Sequence, residues 1–339
     1  MKDRLIWVDS LKGLSIFLMV MGHVIAWQFN DWSQIMSSYP RTIIPVWNII
    51  YSFHMPLFAF CSGLFLAKPF GWYNMASLMN VFQKRVTSLL VPFFIVGYLA
   101  SLIGRPLFDY WYLMTLFEFS IITTIVSYLT KQLSSTEKFT KYIEFAILLT
   151  FAFLCDIVGE YLRTYDTLDI FKFSHLPLYK YLLLGGVTTR FNLIRFVTNV
   201  KIGSLFYTCS LFVFMTLNYC HLNGHVRYPT PEICAFSGII LAVCYFVLHE
   251  SNTKWFCKVI QWLGRHSMEI YILHFFFMTK FPELGDYTIK VFENKGLSPV
   301  FVFQFLTSFF ESCIIIVLCC IAINIISKSK LLSKLLFGR

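Results

Sequence analysis

The sequence predicts an all-α, polytopic integral membrane protein with about ten transmembrane helices and both termini in the cytoplasm. Three observations lead there: a composition that water cannot solvate, ten apolar stretches near bilayer length, and an uneven split of Lys and Arg between the loops. Of 339 residues, 57% are hydrophobic and 14% charged, with a mean hydropathy of +0.66. A soluble domain carries about 25% charged residues, so lipid has to solvate this surface. Phe alone contributes 38 residues, more than one small core needs. The longest polar segment, roughly 131 to 141, reads as a loop, so the chain reads as a single transmembrane domain over 1–339.

A bilayer-spanning helix needs about 20 apolar residues. Stretches that meet or approach this fall at 11–29, 45–67, 86–104, 110–130, 142–159, 176–190, 202–220, 232–249, 268–281 and 298–326. The sixth and ninth are short, and the tenth is long enough to tilt. The first is not a cleaved signal peptide, being too long and lacking a small-residue site before Asn30 and Asp31.

Ten spans sort the 28 basic residues into 19 on the side of the N-terminus and nine on the other. This is the positive-inside pattern, and it supports an even number of spans. The net charge of +10 then follows from topology, without a nucleic-acid partner. Two outer loops are acidic: Asp156, Glu160, Asp166 and Asp169 in one, Glu283, Asp286 and Glu293 in the other. They line an acceptor mouth or are simply solvated. The ten cysteines form no CxxC pair and sit mostly in apolar runs, as small hydrophobes do; neither a metal site nor a disulfide framework is expected. No internal repeat or matched pair of broken helices suggests an inverted-repeat transporter.

Polar residues at membrane depth carry the functional signal. His23 lies deep in the first stretch, eleven residues after Lys12. Eleven residues are close to three helical turns, so the two share a face roughly 16 Å apart, with Asp9 near that face. Gly22 lets another backbone or a substrate approach His23. A lone intramembrane histidine also reads as a hydrogen bond between helices. In the second stretch, Pro56 frees the carbonyl of Ser52, with His54 beside the break and Ser62-Gly63 suited to close packing. Lys84 and Arg85 open the third stretch from the cytoplasmic side; they hold phosphates or serve as ordinary anchors. In the ninth, Ser267, Tyr271 and His274 share one face, and Glu269 lies within the apolar run. Trp27, Trp32, Trp111 and Tyr161 stack on sugars or form interfacial belts.

Four segments in order give the chain a resemblance to the acyltransferase 3 family of membrane-bound acyltransferases. They are Trp7-Val-Asp9-Ser-Leu-Lys12-Gly13 running to Gly22-His23, Phe53-His54-Met-Pro-Leu-Phe58 running to Ser62-Gly63, Lys84-Arg85 leading to Leu89-Leu-Val-Pro92, and Leu263-Gly264 through Ser267-Met-Glu-Ile-Tyr271-Ile-Leu-His274. A weaker match is Trp111-Tyr-Leu-Met-Thr-Leu116. The resemblance implies ten helices, an acyl-CoA donor on the cytoplasmic side and transfer to a hydroxyl. It implies a catalytic role for His23. The chain departs from many relatives in having Ser88 where a second Arg follows Arg85, and Lys12 where an Arg stands.

On this footing the expected catalytic group is His23 with His54, Tyr271 and His274. The expected donor site is Asp9, Lys12, Lys84 and Arg85, with acetyl-CoA as co-substrate and no metal. Expected partners are the acyl-CoA donor, a carbohydrate or glycolipid acceptor, the lipid bilayer and, in a homo-oligomer, further copies of the chain. The expected setting is a bacterial cytoplasmic membrane, and the expected chemistry is O-acetylation of a surface glycan or its lipid-linked precursor. A transporter or flippase without chemistry, and a same-family enzyme with a non-sugar acceptor, are the alternatives.

Overall fold

The computed structural model describes residues 5–29, 35, 41–66, 75–104, 107–133, 137–164, 173–224, 231–250 and 255–338. In chain order its helices are α1 (Ile6–Gln28), α2 (Pro45–Tyr51), α3 (His54–Leu66), α4 (Met75–Arg85), α5 (Val91–Ser101), α6 (Trp111–Leu133), α7 (Glu137–Thr164) and α8 (Tyr179–Arg190). There follow α9 (Ile194–Thr198), α10 (Val200–Leu222), α11 (Pro231–Leu248), α12 (Trp255–Arg265), α13 (Ser267–Phe277), α14 (Pro282–Phe292), α15 (Leu297–Ile326) and α16 (Lys330–Phe337). No strand occurs among the described residues. The chain divides into two compact units, Met1–Phe58 with Arg195–Asn324, and Ala59–Ile194 with Ile325–Arg339.

Among the described residues, seven helical stretches are long and apolar enough to cross a membrane: Ile6–Gln28, Pro45–Phe65, Met75–Ser101, Trp111–Gln132, Tyr142–Leu162, Val200–Leu222 and Leu297–Ile326. The stretches 176–190, 232–249 and 268–281 hold the shorter helices α8, α11 and α13 and fall outside these seven. The expected loop at 131–141 narrows, since α6 runs to Leu133 and α7 starts at Glu137. The two acidic outer loops also hold helix: α7 continues past Asp156 and Glu160, and Pro282 starts α14 at the position where its missing N–H costs nothing. Asp166, Asp169 and Trp32 lie outside the described residues.

In the first unit, glycines set how closely helices pack. A Cβ at Gly13 would lie 1.9 Å from the Ile260 carbonyl oxygen, and one at Gly264 would lie 1.7 Å from that of Asp9. The backbones of α1 and α12 therefore touch, as small residues permit in membranes. The α2–α3 break falls at Ser52–Phe53, where Pro56 cannot donate to the Ser52 carbonyl. Phe53 N–H bonds three residues back, to Ile50 at 3.3 Å.

With lipid as solvent, α15 is apolar on its outward face and keeps polar residues within its buried one. Its buried stripe holds Gln304, Ser308 and Ser312, while Phe310, Ile314, Val317 and Ile321 point outward. Gln304 accepts from Val46 N–H at 2.9 Å and donates to the Ile43 carbonyl at 3.3 Å. One side chain thus satisfies an orphan donor at the start of α2. Nearby, Gln28 donates to Glu311 at 3.0 Å. Arg41 donates to Nδ1 of His221 at 3.1 Å, tying the approach to α2 to the end of α10.

In the second unit, α8 and the preceding 3₁₀ turn Phe173–Leu178 run along α7. Phe191 meets Tyr142 and Phe145 at one end, and Pro177 packs on Gly159 at the other. Polar groups join the helices: Thr123 and Tyr179 share a 2.9 Å hydrogen bond, Ser127 donates to Glu144, and Lys180 pairs with Asp156 at 3.1 Å. The Arg190 guanidinium is close enough to act on Glu144 electrostatically. Gly63 and Gly185 bring α3 and α8 into backbone contact. A π-helical turn at Val86–Leu90 links α4 to α5 just before Pro92. Gly338, in the left-handed region at φ 68°, ends α16 and lies against Thr87 and Ser88 there.

Candidate functional site

The expected site residues begin with α1, an unbroken helix from Asp9 through Lys12 to His23. Its first turn holds Asp9, whose backbone is pressed against Gly264. Lys12 is half-buried. From Met19 to Phe29 every residue is buried except His23, which is half-buried. The helix therefore opens at that histidine.

His23 differs from His54, His249 and His266 in what its Nδ1 does. Nδ1 of His54, His249 and His266 each points at the carbonyl four residues back in sequence, at 2.9, 2.8 and 3.0 Å. Nδ1 of His23 lies instead 2.8 Å from Nε2 of His274 on α13, 251 residues away in sequence. The two rings meet edge to edge, with centroids 5.0 Å apart and planes inclined by 26°. Phe275 covers a face of His23 at 5.0 Å and 22°.

The roles of the four ring nitrogens follow from one anchor. Nδ1 of His274 faces the carbonyl oxygens of Tyr271 at 2.7 Å and Ile270 at 3.2 Å. Carbonyl oxygens only accept, so the proton sits on that Nδ1. In the neutral pair, Nε2 of His274 is then an acceptor and Nδ1 of His23 the donor. The basic lone pair of His23 falls on its Nε2. A base with a fixed tautomer, oriented by a second group, is the arrangement used to take a proton from an attacking hydroxyl.

Of the expected residues, His23 and His274 are in direct contact. Tyr271 contributes its carbonyl, with its ring 6.0 Å from that of His274. His54 is 1% exposed and packs edge-on against Tyr51 at 4.4 Å. Tyr51 in turn lies on Gly22, beside His23. Lys84 and Arg85 close α4 immediately before the π turn, in the second unit; Asp9 and Lys12 stand at the start of α1 in the first.

Tyr51 and Phe275 were not among the expected residues, because aromatics are everywhere in this chain and carry no signal by type. Glu311 was also missed, although it lies in the middle of the apolar run 298–326. The rule that flags a titratable group at membrane depth flags Glu311 as readily as His23.

Comparison with known proteins gives the chain a family. The acyltransferase domain family model matches residues 5–325, nearly the whole chain. No curated protein matches the chain, and no solved structure does. The match takes in α1 with His23 and α13 with His274, and it makes the protein a membrane acyltransferase belonging to the acyltransferase 3 family.

Proposed function

We propose that the protein transfers an acetyl group from cytoplasmic acetyl-CoA to a sugar hydroxyl of a surface polysaccharide or lipid-linked glycan precursor. The hydrogen bond between His23 and His274 carries the reading. It gives His23 a fixed tautomer, with its basic lone pair on Nε2.

In this reaction the acceptor hydroxyl attacks the thioester carbonyl as its proton passes to Nε2 of His23. The tetrahedral intermediate collapses, the C–S bond breaks, and the CoA thiolate takes the proton from His23. Free CoA and an acetyl ester result, and the enzyme returns to its starting state. His274 accepts from Nδ1–H of His23 throughout, which holds the ring and favours the imidazolium that forms transiently. Lys12, on the His23 face of α1, attracts the donor's phosphates. His54 and Tyr271 shape the surroundings of the base.

Ten spans, with both termini in the cytoplasm of a bacterium, fit this chemistry. Parity supports the count. Arg41 and His221 are hydrogen-bonded and so lie on one side of the membrane. The ten-span reading puts six crossings between them; removing α8 alone would leave five and separate them. The α8 helix of 12 residues and its six-residue 3₁₀ extension together rise roughly 30 Å, a bilayer's hydrocarbon thickness.

The test is mass spectrometry of surface glycans from cells carrying the wild-type or the His23→Ala gene. Acetyl esters present with the first and absent with the second are expected. Equal acetylation by a folded, inserted His23→Ala protein would overturn the assignment. Thermal stabilisation of the purified protein by acetyl-CoA separates an enzyme from a transporter, which has no use for the donor.

A further inference from the structure

We propose that Tyr51 limits the acyl group to two carbons by walling the space beside His23 with an immobile ring. The proposal rests on the acyl-transfer reading above and adds the chain length that the site accepts.

Two sides of the His23 ring are taken. Its Nδ1 edge meets His274 at 2.8 Å, and Phe275 is stacked over it at 5.0 Å. A thioester carbonyl has to come up on the Nε2 side, and the acyl tail has to extend beyond it along α1. The residue next to His23 is Gly22. A Cβ there would lie 2.7 Å from Cε2 of Tyr51 and 3.3 Å from Cγ2 of Ile50. The absent side chain is therefore what allows the Tyr51 ring to rest on the α1 backbone beside the base.

That ring is held from several directions. Trp47 stacks on it at 4.2 Å and 17°. His54 meets it edge-on at 4.4 Å, and His54 is itself fixed by its Nδ1–H bond to the Ile50 carbonyl at 2.9 Å. The turn at Ser52–Phe53, imposed by Pro56, places Tyr51 and His54 on the two sides of one break. Trp47 is 6% exposed and His54 1%, so neither has room to move aside. A wall of three interlocked rings discriminates by size, because it cannot yield to an added methylene. One methylene in a rigid apolar pocket is worth about 10- to 200-fold in rate.

The experiment measures release of the CoA thiol from acetyl-, propionyl- and butyryl-CoA by the full-length protein in lipid nanodiscs, with water as acceptor. The wild type is expected to favour acetyl-CoA, and Tyr51→Phe, which keeps the ring, to show the same preference. Tyr51→Ala is expected to raise the ratio of propionyl to acetyl turnover by about tenfold or more. Should Tyr51→Ala fail to insert, Tyr51→Leu reads the same ratio with a smaller expected shift. An unchanged ratio in either truncated variant, with His23-dependent release still measurable, overturns the Tyr51 proposal and leaves the acyl-transfer reading standing. No His23-dependent release from any of the three donors overturns both.

Discussion

Nδ1 of His23 and Nε2 of His274 lie 2.8 Å apart, and His274 commits its own Nδ1–H to the Tyr271 carbonyl at 2.7 Å. The second histidine is thus a positioning group for the first, and its replacement has a defined consequence. His274→Leu is expected to lower kcat by about 10²–10⁴ with the KM for acetyl-CoA little changed. His274→Gln keeps an acceptor for His23 and a donor for the carbonyl, and should recover part of that loss. Rates of CoA thiol release report both. Equal, small effects from Leu and Gln would reduce the pair to a packing contact.

The α1–α12 crossing depends on two glycines facing backbone, which cannot step aside as a side chain can. A Cβ at Gly264 would lie 1.7 Å from the Asp9 oxygen. Gly264→Ala is expected to destabilise the protein by about 1–3 kcal/mol, read as a lowered Tm in detergent. Gly296→Ala, with nothing within 4 Å, is the control and should leave Tm unchanged. A Gly264→Ala protein as stable as the control would argue that the helices are farther apart.

Glu144 is 2% exposed, accepts from Ser127 and has Arg190 nearby. Glu144→Leu leaves the Ser127 hydroxyl only the Thr123 carbonyl at 2.9 Å and removes the counter-charge from Arg190. The expected cost is about 3–5 kcal/mol, with much of it regained in the Glu144→Leu, Arg190→Met double variant. Additive losses in the double variant would show the two groups to be uncoupled.

Topology is open to chemical labelling in a background from which the ten cysteines have been removed. In intact cells a membrane-impermeant thiol reagent is expected to modify Gly296→Cys and to spare Lys328→Cys until the membrane is opened. Labelling of both from outside would break the ten-span arrangement.

Much of the fold was legible because lipid imposes a simple demand: a run of apolar residues of sufficient length, with cations kept on one side. Residue order alone specifies the solvent, the helical class, the break at Pro56, the shared face of Lys12 and His23, and the family. These are properties of one helix or of the order of motifs, and helical periodicity carries them.

Which helix meets which was decided only in the tertiary structure. His23 and His274 are 251 residues apart, and no spacing rule connects them. In a soluble bundle the apolar stripe of each helix points to the core. On α15 the outward face is as apolar as any core, and the buried stripe mixes Gln304, Ser308 and Ser312 with Val300, Ile315, Ile316, Cys319 and Ile323. Hydrophobicity therefore does not say which way a membrane helix faces, and contacts between small and polar groups settle it. Those contacts put Tyr51 on Gly22, Gln28 on Glu311 and a second imidazole on the nitrogen that fixes the tautomer of the first.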